Sequence, residues 1–192
     1  GAPVAHVRVL PVQEHAGPVA AVRAYLQMLV PLLGAAHALP RCAAFAVATA
    51  VAGDRIELTN GHWSFSREQA RQDLGLDLLL LLNDFEALAL SLPRLRADQL
   101  RPWSALPHAV ANGALAVIGP GTGLGVAGVL RTRHGWVAVA GEGGHATLAA
   151  ADDFESALLA HMRGEYAHVS AERLLSGIGL PLLHAAVAAV QG

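Results

Sequence analysis

An α/β fold is what this sequence predicts, and three observations predict it. Short apolar runs with strand character, at 42–52, 76–82 and 114–118, alternate with segments of helical pattern. Two of those runs end directly in polar or glycine-rich residues, Asn83-Asp84 and 119–125, which is where open α/β sheets place ligand groups. The 192 residues are 54% hydrophobic, enough for one sizeable core or for a small domain and the start of a second.

The elements follow in chain order. Val4 to Val12 alternates weakly and reads as a strand. Gly17-Pro18 opens a helix that runs to about Leu29, before Pro31. Cys42 to Ala52 is a continuous apolar run, suited to a buried strand. Gly53-Asp54 reads as a hairpin turn that reverses it into a strand from Arg55 to Thr59. Ser66, with Glu68 and Gln69, caps a helix to about Leu74. Leu76 to Leu82 is a strand and Phe85 to Leu92 a helix. The polar, proline-containing stretch 93–107 is a connecting loop, and 93–112 is the best boundary between two lobes. Ala114 to Ile118 is a strand; Val126 to Arg131 and Trp136 to Ala140 pair around the His134-Gly135 turn. Asp152 to Met162, Ser170 to Leu175 and Leu180 to Val190 are helices. No internal repeat is present.

Composition narrows the function classes. Lysine is absent and all 13 basic residues are Arg, which reads as codon bias. The net charge is −2 with an isoelectric point near 6.6, and the arginines are scattered, so nothing suggests a nucleic-acid partner. Cys42 is the only cysteine, which rules out a disulfide within the chain and suits a reducing cytoplasm; it reads as a small core residue. The uncharged stretches 24–40 and 174–192 have the length of membrane spans, yet their Gly, Pro and polar residues favour buried helices of a soluble protein. No signal peptide is visible. The ten histidines are dispersed and form no metal-ligand spacing.

Five segments can carry chemistry. At Asn83-Asp84, Asp84 can act as a general base toward an attacking hydroxyl and Asn83 can bind a sugar hydroxyl. The pair can equally cap the helix that follows, and spacing alone favours the cap. In Gly119-Pro120-Gly121-Thr122-Gly123-Leu124-Gly125, the glycines let backbone N–H groups approach an anion and Thr122 adds a hydroxyl. Neither a Walker A nor a Rossmann pattern fits, and a plain glycine-rich turn is the alternative. Gly141-Glu142-Gly143-Gly144-His145 presents a Glu and a His on a tight loop. It is thin as a metal site and suits sugar hydroxyls, or it is simply a solvent-facing loop. Ser170-Ala171-Glu172-Arg173 reads as a capped helix start. Trp63, in 59–66, is an anchor packed on a lobe surface, and Asn60 can reach a ligand.

The order of these segments is more specific than any one of them. Leu-Thr-Asn-Gly-His-Trp-Ser-Phe-Ser (58–66), Leu-Leu-Asn-Asp-Phe-Glu-Ala (81–87), Ile-Gly-Pro-Gly-Thr-Gly-Leu-Gly-Val-Ala (118–127), Gly-Glu-Gly-Gly-His (141–145) and His-Val-Ser-Ala-Glu-Arg-Leu-Leu-Ser-Gly (168–177) resemble, in order and spacing, the successive blocks of the bacterial glucokinase family. The resemblance implies a ribonuclease-H-like fold of the hexokinase and actin-like ATPase group: a lobe with a mixed sheet, plus the beginning of a second α/β lobe. It implies a small-lobe sugar-binding region over 1–107 and the truncated start of the large lobe, with the phosphate loop, over 108–192. It also implies a cytoplasmic enzyme that phosphorylates glucose with ATP and Mg2+ at the first step of glycolysis, with a homodimer as the family's usual form. By the same resemblance Asp84 is the catalytic base, Asn83, Glu142, His145 and Glu172 bind sugar hydroxyls, and Gly121, Thr122 and Gly123 lie on the phosphate side.

There are departures. The family's opening strand with Asp-x-Gly-Gly-Thr-Asn, which handles ATP phosphates and magnesium, is not found here, nor is its later adenosine-binding segment. The expectation is a chain with the sugar-contacting groups, an incomplete nucleotide site, little kinase activity alone and exposed apolar surface over 174–192. The alternatives are a non-catalytic sugar-binding or sugar-sensing protein of the same fold, and a partial product without a folded function.

Overall fold

The structure is a computed structural model that describes residues 4–34, 39–58, 61–103 and 113–192. The chain divides into two compact units, Gly1–Asp84 and Phe85–Gly192. The lobe boundary expected at 107/108 and the expected ligand-reaching Asn60 lie outside the described residues.

In the first unit, β1 (Cys42–Val47) pairs in parallel with β4 (Leu78–Asn83), so that Val47 stands opposite Asn83. Helix α1 (Pro18–Leu33) begins at Gly17 with proline in its first turn. It runs past Pro31, which sits in its last turn, so the expected stop near Leu29 falls one turn early. A proline there removes one N–H and leaves the rest of a nearly finished helix intact. β2 (Arg55–Glu57) pairs antiparallel with β3 (Ser64–Ser66). The hairpin expected across Gly53-Asp54 therefore does not form: β2 turns to the later strand, and β1 takes β4 instead. Helix α2 (Arg67–Asp73) starts where the cap was expected, with the Ser66 hydroxyl accepting the Gln69 N–H at 3.0 Å. Ile56, Ala70, Leu76, Leu79 and Leu81 form the core of this unit.

Residues 4–11 are not a strand, and Val4, Val7 and Val9 are exposed. Alternation cannot make a strand unless a neighbour supplies the ladder, and none does among the described residues. Cys42 is exposed as well, on the outer face of β1 with Ala44 and Ala46, rather than in the core.

In the second unit, α3 (Asp84–Ser91, its first residue belonging to the first unit) leads to a three-stranded antiparallel sheet, β5 (Leu115–Pro120), β6 (Leu124–Thr132) and β7 (Gly135–Val139). The β6–β7 hairpin closes at Thr132 and Gly135, as its turn residues predict. The Phe85 ring lies across the facing pair Gly119 and Gly125, filling space that side chains would take. Ala89, Ala127 and Val129 form a small core there. A second core joins α4 (Asp153–Arg163), α5 (Ala171–Leu174) and α6 (Leu180–Gln191) through Leu158, Leu159, Met162, Val169, Leu174 and Ala186. Helix α4 is capped by Asp152, whose carboxylate accepts the Glu155 N–H at 2.7 Å, and carries acidic residues first and His161 and Arg163 last, in accord with its dipole.

Both parallel and antiparallel pairings are present, as expected of this α/β class, in separate sheets among the described residues. Helices α1 and α6 run through the two uncharged stretches, and each is buried on one face only, at Leu29 and Ala186. Met28, Val30 and Leu32 of α1 are exposed, as are Ile178 and Leu180 at the start of α6. Among the described residues no helix is long and apolar enough to cross a membrane.

Candidate functional site

The glycine-rich segment is the tip of the β5–β6 hairpin. Pro120 pairs with Leu124, and the Gly121 N–H donates to the Gly123 carbonyl at 2.8 Å. That bond spends the Gly121 amide inside the hairpin, and Thr122 is exposed at the tip.

Three side chains named from sequence meet beside this tip. Glu172, in α5, sends Oε2 to the Leu124 N–H at 2.8 Å. The path exists because residue 123 has no side chain: a Cβ there would stand 2.5 Å from Glu172 Oε2. The other oxygen, Oε1, lies 3.8 Å from His145 Nε2, and His145 Nε2 lies 3.7 Å from Glu142 Oε2. Glu142 is joined to the hairpin by a bridge to Val126, and Gly144 is buried against the Leu124 carbonyl. The loop 141–145 is thereby laid along β6. Glu172 is the most shielded of the three, its side chain 27% exposed against 63% for His145 and 78% for Glu142.

The framework beneath them is polar and local. Ser170 is buried and its hydroxyl accepts the Arg173 N–H at 3.2 Å, so its capping role is real. The Ala171 N–H donates to the Ala146 carbonyl and the Leu148 N–H to the Val169 carbonyl, which ties α5 to the end of the Glu142–His145 loop. Sequence reading missed two contributors, because both act through the backbone: the Leu124 amide, and Gly177, whose N–H donates to the Gly121 carbonyl at 2.7 Å.

Asn83 and Asp84 stand where expected in the first unit, at the carboxyl end of β4. Asn83 Nδ2 lies 3.3 Å from the Thr49 carbonyl, a long bond that holds the side chain over the end of β1. Asp84 is half-buried and is the first residue of α3. Trp63 is partly buried and anchored as expected, its Nε1–H donating to the His15 carbonyl at 2.9 Å. Beside it lies a cavity of about 510 Å3 walled by residues that include Val22, Phe45, Val47, Trp63 and Phe65. Its described walls are mostly apolar, with Gln13, His62 and Trp63 as the polar members.

Two carboxylates with an imidazole between them can accept hydrogen bonds from adjacent hydroxyls of a polyol, and the imidazole can donate or accept according to tautomer. Among the described residues no three His, Cys, Asp or Glu side chains converge to hold a metal ion.

Fold and cluster together define an α/β protein with a polar, carboxylate-bearing site beside a glycine-rich hairpin tip. A structure of glucokinase from an Antarctic psychrotroph superposes with a TM-score of 0.84 at 36% identity, over 95% of this chain and 55% of that one. The glucokinase of Balamuthia mandrillaris, solved in complex with glucose, shares the fold at a TM-score of 0.56 and 23% identity, over 84% of this chain and 50% of its own. The glucokinase of Aromatoleum aromaticum is 49% identical over 192 residues, all of this chain and 56% of that protein. The family profile described as Glucokinase matches residues 2–192, and the chain belongs to that family. It spans about half the length of the curated relatives it matches.

Proposed function

We propose that the protein to which this chain belongs transfers the terminal phosphoryl group of ATP to the 6-hydroxyl of glucose, giving glucose 6-phosphate and ADP. The observation that carries the reading is the meeting of Glu142, His145 and Glu172 beside a glycine-rich hairpin tip. The family membership supports it.

In this reading Glu142, His145 and Glu172 take hydrogen bonds from ring hydroxyls, and Asn83 takes another. Fixing a sugar through several hydroxyls lowers the entropy lost on reaching the transition state. Asp84 accepts the proton of the 6-hydroxyl as that oxygen attacks phosphorus. Its place at a strand end and helix start gives it a rigid mount. Gly121, Thr122 and Gly123 lie on the phosphate side; with the Gly121 amide spent, the Thr122 hydroxyl is the group to approach a phosphate oxygen. Mg2+ accompanies ATP and neutralises phosphate charge when bound. Among the described residues no three His, Cys, Asp or Glu side chains converge to hold it. The two-lobed division at 107/108, a cytoplasmic setting and a homodimer complete the reading.

Calorimetric titration of the chain with glucose tests it, alongside Glu142→Ala and Asp84→Ala. Saturable binding that Glu142→Ala abolishes and Asp84→Ala retains supports it. Equal affinity in all three proteins would move the sugar site away from these residues. Saturable glucose binding without phosphoryl transfer by the full-length protein would instead favour a sugar-binding or sugar-sensing role.

A further inference from the structure

We infer that the turn after α5, centred on Ser176-Gly177, is a clamp that fixes the hairpin tip, with Gly177 a positioning residue for the phosphate-side group; the functional half of this rests on the reading above.

The hairpin tip is held from outside at both of its ends. On one side the Gly177 N–H donates to the Gly121 carbonyl at 2.7 Å. On the other, Glu172 Oε2 accepts from the Leu124 N–H at 2.8 Å. Both partners come from one short stretch of chain, and that stretch is itself rigid. Ser176 is 1% exposed and its hydroxyl accepts the Gly179 N–H at 3.1 Å. Gly179 sits so close to the end of α5 that a Cβ would stand 2.6 Å from the Arg173 carbonyl oxygen. Leu174 anchors the same helix in the core, 1% exposed. Beyond the last ladder pair, Pro120 with Leu124, the three-residue tip is closed by the Gly121 N–H to the Gly123 carbonyl, which leaves the tip free to pivot on the ladder. Two external bonds on either side of Thr122 remove that freedom before any ligand arrives, which is the condition for a positioned group to assist transfer.

Gly177 meets the hairpin through its bare Cα. A Cβ there would stand 2.9 Å from the Gly121 carbonyl oxygen and 3.9 Å from Thr122 Cα. Both neighbours are backbone, so no rotamer change relieves the contact, and the tip itself has to move. Any side chain at 177 therefore lengthens the bond to Gly121 and re-aims Thr122, while Glu142 and His145 keep their mounts on β6.

Amide hydrogen exchange on the unmodified chain tests the clamp directly. The Gly177 and Leu124 amides are expected to be protected on the order of a hundred-fold over exposed loop amides. Exchange of both at loop rates in a cooperatively folded chain overturns the clamp. Gly177→Ala, titrated with glucose and with inorganic pyrophosphate as the phosphate probe, tests the positioning role. Glucose affinity is expected to stay within about two-fold and pyrophosphate affinity to fall on the order of ten-fold. Unchanged pyrophosphate affinity refutes positioning. If Gly177→Ala does not fold, Glu172→Gln and Glu172→Ala decide, since an amide oxygen can still accept from Leu124: exchange protection at Leu124 kept by Gln and lost in Ala supports the clamp, and protection kept in Ala removes it. Failure of the unmodified chain to bind pyrophosphate, with the two amides protected, refutes the phosphate-side reading of the hairpin and leaves the clamp standing.

Discussion

Leu174→Ala is expected to destabilise the second unit by about 3–5 kcal/mol. Leu174 is 1% exposed and packs in the cluster of Leu158, Leu159, Met162, Val169 and Ala186. Truncation to Ala removes three carbons, whose transfer to water costs about 2.5 kcal/mol at ~0.8 per methylene. The space left behind adds a cavity term, because helices α4 and α6 are held by their other contacts and collapse incompletely. Helix α5 spans only Ala171–Leu174, too short to stand on propensity, so its position depends on this anchor and on the Ser170 cap. The same helix carries Glu172, and a looser α5 weakens the Leu124 bond. A calorimetric or circular dichroism melt should show the transition of residues 85–192 lowered by roughly 13–22 °C, with glucose affinity reduced alongside. A loss under about 1 kcal/mol, or a full loss with glucose binding untouched, would refute the argument that core packing at Leu174 sets the position of Glu172.

Further outcomes follow from single contacts. Asp84→Ala should leave glucose affinity within about three-fold and, in the full-length protein, lower the transfer rate by 10²–10⁴-fold, roughly the worth of a general base; steady-state rates with glucose saturating would read it. Ser66→Ala removes the hydroxyl that accepts the Gln69 N–H and should cost about 1 kcal/mol in a denaturant melt of the first unit. The Arg71 guanidinium, with Gln72 beside it, holds the Glu68 carboxyl at about 2, below its ordinary 4.5. A depressed carboxylate stabilises the fold above the ordinary value, and its share is lost as pH falls from about 4.5 through about 2. Carbon NMR titration of Glu68 should give the low midpoint, and Arg71→Ala should return it toward the ordinary range. Asp54 is likewise lowered, by the Ser66 hydroxyl first and the Glu68 amide second, so Ser66→Ala should also raise the Asp54 midpoint.

Local chemistry was legible in the residues. The caps at Ser66 and Ser170 were read from side chains that accept the amides beside them, and the structure shows those bonds. The β6–β7 hairpin followed from His134-Gly135, because a turn is decided by a few adjacent dihedrals. Asn83-Asp84 at a strand end was legible for the same reason. Partner choice was not. Nothing near Gly53-Asp54 says that β2 will pair with Ser64–Ser66 and that β1 will pair with a strand more than thirty residues away. Val4 to Val9 alternates as a strand does and forms none.

The candidate site divides along the same line. Sequence supplied its chemistry: two carboxylates, an imidazole and a glycine-rich turn, recognisable because their order along the chain is specific to one family. Tertiary structure decided that Glu172 reaches the Leu124 amide 48 residues away, that His145 stands between Glu142 and Glu172, and that Gly177 closes on Gly121. The first and last of those contacts are made to backbone groups that every residue possesses. A backbone amide has no signature in the sequence, so only the packing of α5 against the β5–β6 hairpin could reveal which ones are used.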